Sequence, residues 1–341
     1  MRKRIITRDD FIDLYVKIKE RGYRFVLTKL SPQKLVRTKS AFNDATEVDT
    51  SNLWIIPAVR KRWNYKISGN PDTNYIVYFK SKYINENDSL KMLSLGSGSC
   101  NNELMFASYP QLKEIVCVDV SNERLKEGEL SARNRHLNNI QFICEDFNKY
   151  PFPESYFDVV LFNLSLHHTD DVSSILKNKV KKTLKPHGRL IINEYVGPNR
   201  MQFDQEQIRA INKGLILIDQ RFRVRHKTSL IKKKYYGSGI VRMIMADPSE
   251  AKDSSRILPV IHEHFKIIEE KPYGGNILMG VLKDISHHFV DSDQDKEKTE
   301  LLNKLFFFED QYLSTHPTDF IFGVYEKEDD GSHTFSNFHP F

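Results

Sequence analysis

From Lys91 onward the chain falls into short apolar runs: KMLSL, EIVCVDV, QFICED, FDVVLFNL and RLIINEYV. Between them lie stretches of helical spacing at about 101–109, 121–135 and 170–183. Apolar runs of this length alternating with amphipathic helices predict βαβ units and a parallel sheet, and each helix is long enough for a right-handed crossover. Ahead of this region Phe11, Leu14, Tyr15 and Ile18 recur at helical spacing behind Asp9 or Asp10, with Gly22 as a stop. Ser31-Pro32 opens a second short helix. A third, through Tyr75, Ile76, Tyr78, Phe79 and Tyr83, follows the turn-like Gly69-Asn70-Pro71-Asp72. Residues 1–90 therefore read as a helical N-terminal extension and residues 91–341 as an α/β domain. The alternation stops after Tyr195. Residues 198–262 hold helical segments at 206–218 and 230–245 around a basic stretch, 221–234, which reads as an insertion over the sheet. A strand (HFKIIEE), a helical segment at 276–288, a charged loop (DSDQDKEK), another helix and a final strand (DFIFGVYEK) complete the pattern.

Composition narrows the class. With 341 residues, 40% hydrophobic and 28% charged, the chain can bury a full α/β core with additions. No stretch reaches the ~18 unbroken apolar residues of a membrane helix, and no apolar run follows the basic N-terminus, so a cytoplasmic protein is expected. Cys100, Cys117 and Cys144 have neither metal-ligand spacing nor the even count of a disulfide framework, so they read as reduced, buried thiols and no metal is expected. The net charge of +6 is uneven: residues 1–90 carry 18 Lys and Arg against 10 Asp and Glu. An anionic partner would meet that part, although a solvated basic surface accounts for the same residues.

The chemistry begins where the first strand runs into Leu95-Gly96-Ser97-Gly98-Ser99-Cys100 and helix-like residues follow at once. Glycines there let the backbone turn sharply and approach a ligand. A tight strand-to-helix turn without a ligand is the alternative reading of G-x-G alone. The second strand ends at Asp119, 119 − 98 = 21 residues after Gly98, close to the ~20 expected of a carboxylate that accepts from both ribose hydroxyls; a helix cap ahead of Ser121 would use the same position. A nicotinamide site would want a third glycine at 101, and this chain has Asn101.

These segments, with Cys144-Glu145-Asp146-Phe147, Tyr156-Phe157-Asp158-Val159-Val160, Leu161 to His168 and Leu184 to Leu190, resemble in order and spacing the class I S-adenosylmethionine-dependent methyltransferases over about residues 91–195. The resemblance implies a doubly wound, seven-stranded, mostly parallel sheet with the last strand antiparallel, and S-adenosyl-L-methionine as cofactor. It assigns cofactor binding to Leu95, Gly96, Ser97, Gly98, Asp119, Val120, Asp146, Phe147 and Asn163, with Asp146 facing the adenine amino group and the Phe147 N–H a ring nitrogen. Paired histidines after the fourth strand are common in members acting on small molecules, and the Asp/Asn-Pro-Pro-Tyr pattern of base and glutamine N-methylation is missing. Asn193 to Arg200, Ala246 to Ala251 and Tyr273-Gly274-Gly275 look like a bacterial subgroup that often accompanies genes for glycan assembly, so a saccharide-related acceptor enters as a candidate. Two positions depart from the family pattern: Ser94 stands where an acid is usual, and Cys100 replaces a third small residue.

A hydroxyl acceptor needs a base, and His167, His168 and Glu194 all fall at the carboxyl edge of the sheet. The alternatives are that one histidine packs under the cofactor or caps the helix from Thr169, and that Glu194 pairs with an arginine of the insertion. Arg221 to Lys227 can grip a phosphate or sulfate, or simply flank a helix. Asp247-Pro248-Ser249-Glu250 reads as a helix start that also contacts substrate. Three functions follow: O-methylation of a small-molecule or saccharide-related acceptor, methylation of RNA or protein with the basic N-terminal part as a clamp, or cofactor binding without transfer.

Overall fold

The structure is a computed structural model that describes residues 3–21 and 52–327; the helix expected at Ser31 and the stop at Gly22 lie outside them. Seven strands form one sheet: β1 (Leu90–Leu95), β2 (Leu112–Asp119), β3 (Ile140–Cys144), β4 (Phe157–Asn163), β5 (Leu184–Tyr195), β6 (Lys266–Gly274) and β7 (Phe320–Glu326). Their order is β3-β2-β1-β4-β5-β7-β6, and only β7 runs antiparallel to its neighbours, as expected. Alternate residues feed two cores. Met92, Ile115, Cys117 and Leu161 bury into one face, and Leu93, Leu95, Val118 and Val160 into the other.

Helix α1 (Arg8–Arg21) lies against the insertion, while the first face is covered by α2 (Pro57–Ser68), α3 (Tyr75–Tyr83) and α4 (Asn101–Ala107), together with insertion and C-terminal helices. Helix α2 was not anticipated. Its signals are Pro57 at the first turn, Val59, Trp63 and Ile67 buried at i, i+4 and i+8, and Gly69 closing it in the left-handed region at φ 79°. Helix α1 departs from expectation in orientation. Its predicted apolar stripe, including Phe11 and Leu14, is exposed, while Asp9, Asp10 and Asp13 are buried. The two leading acids bond across to the insertion instead of only capping: Asp9 accepts from the N–H groups of Tyr236 and Gly237, and Asp10 from that of Gly239.

Crossovers α5 (Asn122–Asn134) and α6 (Val172–Ile175, continuing through Leu176–Val180 and Lys181–Thr183) follow β2 and β4. In the insertion, α7 (Gln205–Leu217) matches the expected segment. The helix expected over 230–245 begins only at Ile240, as α8 (Ile240–Ala246). Upstream, residues 224 and 231 bridge antiparallel and Gly237 takes φ 86°, so glycine chemistry outweighs the apolar spacing. Helix α9 (Ile257–His264), unpredicted, packs into the second core ahead of β6. The segment expected to be helical at 276–288 is one turn, α10 (Leu278–Leu282), followed by a 3-10 turn. The charged loop leads into α11 (Lys296–Leu313). No described helix is long and apolar enough to cross a membrane.

Candidate active site

Strand order reverses between β1 and β4, and at such a switch point the loops leaving neighbouring carboxyl ends diverge and open a crevice. A cleft of about 850 Å³ lies here, within the ~300–1,000 Å³ usual for small-molecule sites. Its walls include residues 96–102 after β1, Asp119 and Val120 after β2, residues 144–149 after β3, and Asn163, Leu164, Ser165 and His168 after β4.

The turn after β1 is tight because the chain on either side leaves no room. Gly96 has φ 72°, and a Cβ there would sit 2.6 Å from the Cβ of Ser165. Ser165 in turn donates to the Leu95 carbonyl at 2.6 Å, which locks the ends of β1 and β4 together. Gly98 (φ 55°) and Cys100 (φ 57°) are also left-handed. The Gly98 N–H donates to Asp119 Oδ2, and the Ser121 N–H to Asp119 Oδ1, each at 2.8 Å. Asp119 therefore braces the turn while facing the cleft; the helix cap is Ser121, which accepts from Arg124 N–H. Asp146 accepts from the Asn148 backbone and side-chain amides at 2.9 Å, and the Phe147 ring stands edge-on to Phe162. Asn163 Oδ1 accepts from Tyr75 of α3 (3.1 Å) and from Asn193 (2.8 Å), whose own oxygen accepts from Tyr273. Of the residues expected to hold cofactor, all but Leu95 line this one cleft. Cys144 is exposed at its wall, not buried as expected, because β3 is the sheet's edge strand.

The acid missing at position 94 returns from α4. Ser94 Oγ donates to Glu103 Oε1 at 2.6 Å, and the carboxyl, 1% exposed, is pushed up to about 7 by burial. Since the folded state binds this proton more tightly than the unfolded chain, Glu103 favours folding fully below about pH 4.5. That contribution is lost as pH rises through about 7. Glu103→Gln should thus gain stability over the parent by roughly 2–3 kcal/mol more at pH 8 than at pH 4.5, read from urea midpoints. A difference independent of pH would mean that Glu103 is not a buried, protonated group.

The histidines divide the roles that sequence left open. Glu194, fully buried, lies under the loop and not in the cleft. Its Oε2 accepts from Ser165 N–H (2.9 Å) and Leu166 N–H (2.7 Å), and its Oε1 from Tyr195 N–H (2.7 Å) and His167 Nδ1. Burial alone would lower the His167 pKa, but Glu194, with Glu250 and Asp247, outweighs it and raises the imidazole to about 9. His168 lines the cleft and is lowered, first by burial and then by the charge of His167. Opposite the pair stands the 247–250 loop. It is a turn, not a helix start, because Asp247 ends α8 and its Oδ1 accepts from Ser249 N–H and Oγ. Ser249 Oγ lies 3.1 Å from His168 Nδ1, and Glu250 Oε1 lies 3.6 Å from His167 Nε2. Arg200, itself left-handed at φ 56°, holds that loop by donating to the carbonyls of Asp247, Pro248 and Glu250.

Two cations of the basic stretch, Arg225 and Lys232, are buried in the fold, while Arg221, Lys227, Lys233 and Lys234 are exposed. Arg225 pairs with Asp284, Arg221 with Glu297, and Lys232 gives its three protons to the carbonyls of Gly280, Val281 and Lys283. Sequence reasoning missed Tyr75, Glu103, Asn193, Arg200 and Tyr273 as site residues. Only the unusual Ser94 hinted at one of them.

A parallel sheet reversing at β1/β4, a glycine turn braced by a strand-end carboxylate and a cleft at that reversal are the features on which the likeness to class I S-adenosylmethionine-dependent methyltransferases rests. The family model described as a methyltransferase domain matches residues 93–192. The chain is 26% identical over 115 residues to the uncharacterized methyltransferase YcgJ of Bacillus subtilis, covering 34% of this chain and 44% of that one. It is 27% identical over 111 residues to the ubiquinone/menaquinone biosynthesis C-methyltransferase UbiE of a Shewanella species, covering 32% and 44%. The match thus spans less than half the length of these relatives. Among solved structures, phosphoethanolamine N-methyltransferase 2 of Haemonchus contortus shares the fold at a TM-score of 0.51 and 15% identity, over 88% of this chain and 61% of that one.

Proposed function

We propose that this enzyme transfers the methyl group of S-adenosyl-L-methionine to a hydroxyl of a small-molecule or saccharide-related acceptor. The observation that carries this reading is that His168 and Ser249 line the same cleft as the glycine turn and Asp119, so cofactor pocket and polar cluster are continuous. The cleft's chemistry fits the cofactor. Leu95 to Gly98 supply close backbone. Asp119, after spending one lone pair per oxygen on backbone N–H groups, keeps others for a ribose diol, with Val120 beside it. Asp146 and Phe147 offer a polar edge and an aromatic face for the adenine, and Asn163 closes the floor.

When bound, the cofactor supplies a methyl carbon already activated by its sulfonium; the C–O bond forms as the C–S bond breaks and the electron pair stays on sulfur. What the chain must add is alignment, exclusion of water and a destination for the acceptor's proton. His168, held below the usual imidazole range, and the carboxylates of Asp247 and Glu250 opposite it provide that destination, while His167, kept charged by those acids, and Glu194 behind it act as positioning residues. Arg200 fixes the loop bearing half of this cluster. Arg200→Ala should lower kcat/KM for the acceptor by roughly 10–100-fold while leaving S-adenosylhomocysteine affinity unchanged; Arg200→Lys recovers little, because an ammonium lacks the planar fork. Equal losses in both quantities would contradict this division.

The charge distribution favours a small acceptor over a nucleic acid. Lys61, Arg62, Lys66 and Lys82 of the N-terminal helices already pair with Asp293, Asp310 and Glu269, and Arg225 and Lys232 are buried. A phosphate clamp would also lose affinity steeply with salt. The test is incubation with methyl-labelled cofactor and fractionated cell extract. Label in a low-molecular-mass or glycan fraction supports the reading; label in RNA or protein alone overturns it.

A further inference from the structure

We infer that His167, His168 and Glu250 bind a first-row divalent cation beside the cofactor cleft, which His168 lines, with Asp247 alongside. This rests on reading the cluster as the place where the acceptor is engaged, and it names how. One donor atom from each of the three side chains lies within 4.8 Å of the others. His167 Nε2 and Glu250 Oε1 are 3.6 Å apart, too long for a hydrogen bond. That spacing is close to the ~3.4 Å between two donors each ~2.1 Å from a tetrahedral ion. The imidazole's hydrogen bonding agrees. Glu194 accepts from Tyr195 N–H and from His167 Nδ1 on the same oxygen, so the Nδ1 proton is held there and Nε2, toward Glu250, is the nitrogen that a cation would take in exchange for its proton. A carboxylate behind a histidine's far nitrogen is the arrangement that orients metal-bound imidazoles.

Charge and rigidity point the same way. Glu194, Asp247 and Glu250 gather three carboxylates around two imidazoles in a largely buried place, with Arg200 facing the loop, and a bound cation would take over the charge that the His167 proton supplies. Arg200 holds the 247–250 loop through three carbonyls, so the Glu250 side is set before anything binds. Two imidazoles with one carboxylate select zinc, cobalt, manganese or iron over the oxygen-seeking magnesium and calcium. Because His168 and Ser249 face the cleft, the remaining coordination positions open toward it, where one or two acceptor oxygens can enter. The acceptor class is then a hydroxylated molecule, best with adjacent oxygens, whose proton passes to the neighbouring carboxylates when its oxygen takes the methyl carbon.

The experiment uses the full chain stripped with chelator and titrated with Co²⁺, whose visible ligand-field bands report nitrogen and oxygen ligation, and with Zn²⁺ by calorimetry. One equivalent should bind. Glu250→Ala, His167→Ala and His168→Ala should each weaken it at least tenfold with far-UV circular dichroism and the urea midpoint as checks on folding, and Glu194→Gln by roughly 10–100-fold. No saturable cation binding, or binding indifferent to Glu250→Ala, overturns the site. Cation binding without methyl transfer to any fraction would instead sink the proposed activity and keep the site, whereas full transfer by stripped protein that binds no cation would do the reverse.

Discussion

Alanine at Glu194 should cost roughly 3–5 kcal/mol of folding stability and abolish methyl transfer. The carboxylate has no exposure and takes four donors: three backbone N–H groups at the junction of β4 and β5, and the Nδ1 of His167. Truncation leaves all four buried without a partner, and removing one side of a buried, hydrogen-bonded pair is among the most costly single changes. Glu194→Gln should fall between, because its amide oxygen serves two of the donors while its NH₂ meets the other two. If the NH₂ turns to His167, Nδ1 must accept instead of donate, and the charge that Glu194 holds on the imidazole is lost. Urea denaturation with a parallel activity assay measures both effects. A loss below about 1 kcal/mol for the alanine variant would mean that this network does not hold the loop.

Alanine at Asp119 should weaken S-adenosylhomocysteine binding by at least about 100-fold. Two contributions add: the lost bonds to the ribose in the proposed mode, and the loosened turn once Gly98 N–H and Ser121 N–H have no acceptor. A charge-assisted hydrogen bond is worth roughly 1.5–3 kcal/mol, so even one ribose contact supports a tenfold change and two support the larger figure. Asp119→Asn keeps one acceptor oxygen and should lie between. Calorimetry reads the affinity directly, and an alanine variant within threefold of the parent would remove Asp119 from the cofactor site.

What the sequence discloses and what it conceals divide along physical lines. The sheet was legible because its buried strands are apolar runs at regular spacing, and the glycine turn because only glycine tolerates Gly96's left-handed backbone against Ser165. Strand-end positions, Asp119 and Asp146 among them, follow from those runs. The His167–His168 pair was visible, but its setting was not. Glu250 and Asp247 meet it from a loop after α8, and Glu194 reads on its strand as a residue facing the cleft, whereas its side chain turns beneath the histidine loop. Glu103 shows the same limit: the substitution at Ser94 is plain, while its compensation by an acid nine positions on depends on how α4 packs. Helix α1 is inverted for a related reason. Apolar periodicity marks a helix, but it does not say which face wins when Asp9, Asp10 and Asp13 find backbone amides and Arg242 on the insertion, and Lys283 after α10.

The most direct measurement is isothermal titration of the full chain with S-adenosyl-L-methionine and with S-adenosylhomocysteine. The cleft described here predicts saturable uptake of one equivalent of each, with the two competing for the same place. Absence of saturation for both up to millimolar concentration, on protein shown to be folded, would contradict it.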